Sequence, residues 1–162
     1  MAKRQIFYSF HFKNDVMRVQ LVRNIGALEE NKPVSINKWE EIKRGGSLAI
    51  KRWIKKNMNG RSCVVVLIGE ETAQRKWVKY EIKKAWEDGK GLIGIHIHNL
   101  ECPRSGKCAK GSNPFEQFSL DDGTRLSSIV KCYNPKSSNA YNDIKDNIEK
   151  WIEEAIEIRN EY

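Results

Sequence analysis

CVVVLIG, Cys63 to Gly69, is apolar at every position before its glycine. A strand with one face in water alternates polar and apolar side chains. This run does not alternate, and its three consecutive valines favour a strand over a helix. It therefore reads as a central strand covered on both faces. Outward from it, Thr72 opens a loop or short helix, and RKWVKYEIKKAW, Arg75 to Trp86, continues as a helix to Asp88. Gly89 suits the position just past a helix end. LIGIHIH, Leu92 to His98, is the next strand. In the other direction Ser47 can cap a helix whose apolar face is Ile50, Trp53, Ile54 and Met58. EEIKRGG before it reads as a polar loop with two glycines, and KPVSINKW, from Lys32 to Trp39, as a short strand. RQIFYSF supplies a first strand, Gln5 to Phe10. Asn14 or Asp15 can cap a helix with Met17, Leu21, Ile25 and Leu28 on one face. Strands alternating with helices predict an α/β fold, a parallel sheet of about five strands with helices on both faces.

From Asn99 to Asn139 the pattern weakens, with turn signals in PRSGKCAKGSNP and DDG and one more strand expected in SSIVKCY. Ile144, Ile148, Trp151, Ile152 and Ala155 then mark an amphipathic helix with an acidic outer face. There is no internal repeat and no linker, so 1–162 reads as a single domain.

Charge is uneven along the chain. The net charge is +8, yet residues 139–162 carry seven acids and three bases. Lys51, Arg52, Lys55, Lys56 and Arg61 are the densest basic group, with no acid between Arg44 and Arg61. Such a surface attracts nucleic acid, anionic lipid or a phosphorylated small molecule, but a solvated helix face explains it as well. No apolar run is long enough for a membrane span, and MAKRQIFYSF lacks the features of a signal peptide. A cytoplasmic protein that does not bind a membrane is expected.

Cys63 opens the apolar run, where a small buried hydrophobe is the ordinary role. Cys102 and Cys108 bracket PRSGK, with His96 and His98 just upstream. Five residues between the cysteines is loose for zinc, and the histidines alternate with Ile95 and Ile97 as on one face of a strand. No metal and no disulfide are expected. G-x-G-x-x-G after the first strand, G-x-x-x-x-G-K-[ST] and G-x-S-x-G are all absent. The aspartate that a phosphoacceptor domain needs after its third strand is replaced by Ile68-Gly69-Glu70.

Ligands of such sheets bind beyond the carboxyl ends of the strands. Here those ends are Phe10-His11, Trp39-Glu40, Gly69-Glu70 and His98-Asn99. Glu81 lies in the helix that follows the third end, among Trp77, Val78, Tyr80, Ile82, Ala85 and Trp86. From the residues alone it is either a glutamate reaching water or pairing with Lys84 or Lys79, or a functional carboxylate facing the strand ends.

FYSFHFKND, WEEIKRGG, SCVVVLIGEETAQRKWVKYEI and GKGLIGIHIHNL resemble the bacterial TIR-like family, in particular its Thoeris anti-phage defence branch. The resemblance runs from about Lys3 to Phe118, leaving 119–162 as a variable region with the terminal helix. Its most specific element is Trp77-Val78-Lys79-Tyr80-Glu81, the setting in which TIR enzymes carry their catalytic glutamate. The resemblance implies a flavodoxin-like sheet and cleavage of NAD between nicotinamide and ribose, with NAD as substrate and no cofactor or metal. It also implies a cyclic ADP-ribose-type signal that diffuses to an effector protein. The loop Glu40 to Gly46 would then dock on a neighbouring copy.

Chemistry agrees with that implication. Nicotinamide leaves as a neutral ring, so the demand is for a carboxylate beside the positive charge that develops on the ribose. Glu81 is the catalytic candidate. Phe10, His11, Trp39, Lys43 and Trp77 are the substrate-binding candidates, with Phe10 or Trp77 stacking on nicotinamide. Lys43, Arg44 or the helix start after Gly46 would meet the pyrophosphate. Two other readings remain: a non-enzymatic TIR-like module that assembles with partners, and a basic nucleic-acid binder supported by charge alone.

Overall fold

The computed structural model describes residues 4–23, 29–30, 41–100 and 109–162. Among these residues five strands form one sheet: β1 (Gln5–Ser9), β2 (Glu29–Glu30), β3 (Cys63–Ile68), β4 (Gly91–His96) and β5 (Cys132–Tyr133). Their order is β2-β1-β3-β4-β5, and every pairing is parallel. This is the flavodoxin-like order. The apolar run is central as expected. β3 pairs with β1 on one side and, from Cys63↔Gly91 to Ile68↔His96, with β4 on the other, and all six of its residues are buried.

Alternation along the strands divides the core into two layers. Ile6, Tyr8, Val65, Leu67, Ile93 and Ile95 face α1 (Phe12–Arg23) and the C-terminal helix α4 (Ala140–Asn160). Phe7, Val64, Val66, Ile68 and Leu92 face α2 (Gly46–Met58) and α3 (Lys76–Glu87). In α4 the five expected core residues are all buried. Burying each large side chain stabilises by about 1.5–3 kcal/mol, enough to dock a helix whose other face is charged. Trp151 stacks on Tyr133 at 4.2 Å between ring centroids, and the Tyr133 hydroxyl donates to Glu154.

Several local expectations give way. α1 starts at Phe12, so Asn14 and Asp15 lie inside it and do not precede it. Among its residues whose burial is described, Arg18, Val19 and Val22 are buried and Leu21 packs on the core as expected, whereas Met17 is exposed. The reason is a polar satisfaction that periodicity cannot see: Arg18 Nε donates to the Leu100 carbonyl, 82 residues away. Residues 41–44 are helical instead of a loop, and Ile42 packs on the core. α2 begins at Gly46 after Gly45, so Ser47 is within the helix and caps nothing. β1 ends at Ser9 and β4 at His96, each short of the expected end. SSIVKCY is a strand only at Cys132–Tyr133. Gly89 takes φ +76° after α3, as its position suggested. The strand expected between Lys32 and Trp39 lies outside the described residues, as do Ile25, Leu28, Cys102 and Cys108.

Candidate active site

α3 buries Val78, Glu81, Ile82 and Ala85, a spacing that forms one stripe along a helix. Glu81 thus occupies a core position, 7% exposed, and its carboxyl faces the sheet. Ser9 is the last residue of β1. It stands two residues beyond Phe7, on the same sheet face, and is fully buried. The Ser9 hydroxyl donates to Glu81 Oε1 at 2.8 Å, across 72 residues of chain. Among the described residues no cation pairs with Glu81; Lys84 is instead bound to Asp88 at 2.8 Å. The alternative of a surface glutamate paired along its own helix is therefore excluded. Burial pushes the Glu81 carboxyl up to about 8, and the Ser9 hydroxyl opposes that rise by stabilising the ionised form. A carboxyl near neutrality can hold negative charge and can also exchange a proton.

The surroundings of this pair are the C-terminal edge of the sheet. Thr72 Oγ1 accepts from the Gly69 N–H at 2.8 Å, tightening the turn between β3 and α3. Gln117 Nε2 donates to the Ala73 carbonyl, anchoring the 114–117 turn to the same place. The chain crosses the end of β3 at Gly111, where a Cβ would collide with the Gly69 carbonyl oxygen. His96 and His98 lie under the same crossing, 5% and 9% exposed, with rings 6.0 Å apart. Ile95 and Ile97 point into the opposite layer, so the two histidines share one face as expected. Burial, then Lys110, then His98 push His96 down to about 4, which keeps it neutral.

The substrate-binding candidates are spread over several places. Phe10 and His11 follow Ser9 directly and are half-buried, but Phe10 packs in the α1/α4 layer, opposite to Glu81. Trp77 is half-buried in the α2/α3 layer, with its ring edge-on to Tyr80 at 5.5 Å and Lys76 Nζ 5.0 Å from its centroid. It lines a shallow groove of about 430 Å³ with Lys51, Tyr80 and Phe118. Phe10 and Trp77 are thus on different sides of the sheet. Lys43 and Arg44 are exposed on the helical turn at 41–44. Trp39 and Glu40 lie outside the described residues. Ser9 is the residue that sequence reasoning missed. Its signal was available: it is a small polar residue set between Tyr8 and Phe10 at the end of an apolar strand, on the face that carries Phe7.

Much of the dense basic group, Lys51 excepted, lies at the other end of the sheet. Arg52, Lys55, Lys56, Lys84 and Lys90 line a cleft of about 660 Å³ with Asn59 and Asp88. Lys55, Lys56 and Lys84 are in the last turns of their helices, where cations complement the helix dipole. Lys90 donates to the Arg61 carbonyl at 2.7 Å. Lys55, Lys56, Lys84 and Lys90 thus have structural explanations that need no ligand.

Comparison with known proteins places the chain in a family. The family model described as "Thoeris protein ThsB, TIR-like domain" matches residues 7–102. The chain belongs to this family. The matched segment contains Ser9, α2, β3, α3 with Glu81, and β4, whereas α4 lies beyond it. The chain is also similar to a protein of Bacillus cereus (strain MSX-D12) named "Putative cyclic ADP-D-ribose synthase ThsB1". Identity is 38% over 130 residues, covering 75% of this chain and 67% of the relative. No helix among the described residues is long and apolar enough to cross a membrane.

Proposed function

We propose that this ThsB-family TIR domain is an NAD-processing enzyme that makes a cyclic ADP-ribose-type signal. The observation that carries the catalytic assignment is Glu81, a carboxyl buried at the C-terminal edge of the sheet with a neutral hydroxyl as its partner. The bond between the ribose C1′ and the nicotinamide nitrogen breaks, and nicotinamide leaves with the electron pair as a neutral ring. Positive charge develops on the ribose, and the Glu81 carboxylate stabilises it. A nucleophile of the same ADP-ribose unit then closes on C1′ and loses its proton, which Glu81 accepts when that nucleophile is a hydroxyl. The products are a cyclic ADP-ribose isomer, nicotinamide and a proton. NAD is substrate, and the chemistry calls for no further cofactor or metal. Phe10, His11, Trp39, Lys43 and Trp77 are the substrate contacts of this reading.

The product is a diffusible nucleotide that reaches an effector protein and so serves anti-phage defence. Exposed Lys43 and Arg44 belong to the 40–46 segment, the surface through which copies associate in this reading. The whole chain, 1–162, acts as one TIR-like domain.

The test is to incubate the chain with NAD, at concentrations that permit assembly and with extract from phage-infected cells, and to separate the products by chromatography. The expected result is nicotinamide and a cyclic product from the parent and neither from Glu81→Gln. Product at the parental rate from Glu81→Gln would remove the catalytic assignment. NAD left intact by the parent under all these conditions would favour the non-enzymatic module.

A further inference from the structure

We propose that Ser9 is a positioning residue for Glu81: its hydroxyl holds Oε1 on the sheet side and leaves Oε2 as the oxygen presented to the ribose. This deepens the reading above and rests on it. The Ser9 hydroxyl is fully buried, and a buried hydroxyl must find an acceptor. The acceptor is a carboxylate oxygen 2.8 Å away that belongs to a different secondary-structure element. Ser9 is itself fixed by the sheet, since it is paired with Val66 in the central strand. The hydrogen bond therefore joins the helix that carries the carboxylate to the central part of the sheet. A carboxylate held at one oxygen loses rotation about its terminal torsion, so Oε2 keeps one direction during the reaction.

The same bond acts on the proton. Donation to Oε1 stabilises the charged form, so Ser9 offsets part of the burial that disfavours it. Other titratable groups around the pair are few. α3 packs on β3, β4 and the turn at Thr72–Gln74. β3 carries Cys63 at its far end, β4 carries neutral His96, the turn carries no titratable side chain, and His11 follows β1. On α3, Lys84 is bound to Asp88, and Lys79 is on the partly exposed side. Ser9 is the group that touches the carboxylate.

The experiment measures kcat and KM for NAD from pH 5.5 to 10 for the parent, Ser9→Ala, Ser9→Cys and Ser9→Thr. Beside it, the Glu81 carboxyl is titrated by carbon NMR in the substrate-free protein, assigned by its absence in Glu81→Gln. In Ser9→Ala the acid limb of the rate profile and the NMR midpoint both rise by about one pH unit, and kcat at pH 7 falls about tenfold. KM stays within about twofold, because the lost interaction acts on the reacting carboxylate rather than on uniform binding. Ser9→Thr restores the midpoint, and Ser9→Cys, a weaker donor of similar size, lies between. If Ser9→Ala and Ser9→Cys keep the parental midpoint in both measurements, Ser9 is merely structural and the proposal is wrong. Parental activity in Glu81→Gln would instead remove the function reading itself. An inactive Glu81→Gln with an unmoved midpoint in Ser9→Ala removes only the role of Ser9.

Discussion

The two ends of the sheet carry charge in opposite ways. At the amino end, Arg52, Lys55, Lys56, Lys84 and Lys90 crowd a cleft, but they are largely exposed or satisfied by Asp88 and the Arg61 carbonyl. At the carboxyl end a single carboxyl among the described residues, Glu81, is buried with a hydroxyl for a partner. Charge in water is cheap, and many such residues can accumulate for solubility or helix complementation. A carboxyl removed from water is costly and persists only where something compensates for it or uses it. Density of charge alone therefore assigns no function here, and the isolated carboxyl is the group that the proposed chemistry requires.

The largest effect that sharpens this contrast is the loss of the isolated charge. Glu81→Gln keeps the shape and loses the charge, so product formation falls by about a hundredfold or more. Its stability should behave in the opposite sense. Folding raises the Glu81 pKa from the ordinary 4.5 to about 8, so the native state binds the proton more tightly than the unfolded chain does. The stabilising contribution of that proton is complete below about pH 4.5 and is lost as pH rises through about 8. Glu81→Gln removes this dependence. Its melting temperature relative to the parent therefore increases between pH 5 and pH 8, read by thermal melts at both. A relative melting temperature that stays level or falls over this range would mean that Glu81 finds a cation in solution.

A smaller effect concerns the chain that crosses the same end. Gly111→Ala drives a Cβ into the Gly69 carbonyl oxygen, and backbone on both sides must move. Overpacking of this kind costs about 1–3 kcal/mol. For a chain of this size that lowers the melting temperature by about 2–4 °C per kcal/mol. Because Gly69 begins the turn that leads to α3, NAD turnover should fall as well. Unchanged melting and turnover would show that the crossing is not held against β3.

The fold was legible because its decisive signals are local. A six-residue apolar run, a helix stripe ending at Gly89 and the Ile144-to-Ala155 stripe each follow from burial of a periodic face, and each is where it was expected. What periodicity missed depends on distant partners. Arg18 is buried with its guanidinium on the Leu100 carbonyl, and Met17, the residue before it, is exposed. The candidate site divides in the same way. Glu81 stood out as a carboxylate within an apolar stripe, but only the TIR resemblance separated it from an ordinary helix glutamate. Its contact with Ser9 joins β1 to α3, and no spacing in the sequence states that. Phe10 and Trp77 are the two aromatic candidates for stacking on nicotinamide, and they do not share a face. Strand alternation sends Phe10 into the other layer.

The smallest effect belongs to the crowded end, and it is the one most able to break the contrast. Lys84→Ala removes the ion pair with Asp88, a partly exposed pair along one helix worth about 0.3–0.5 kcal/mol. Lys55→Ala and Lys56→Ala each remove a last-turn cation from α2, an effect of about 0.3–1 kcal/mol that salt screens. Combined, the three substitutions should leave the rate of NAD turnover at its parental value, because none of these groups reaches the edge where Glu81 lies. They also bear on the nucleic-acid reading. If this cleft bound a polyanion, the parent would hold a labelled oligonucleotide with an affinity that falls steeply with salt, and the triple variant would lose both affinity and slope. The expected result is weak binding of parent and variant alike, measured by fluorescence anisotropy from low to physiological salt. A steep slope in the parent that disappears in the variant would give the basic end a ligand of its own. Dense exposed charge would then mark a site in this molecule as surely as the buried carboxyl does.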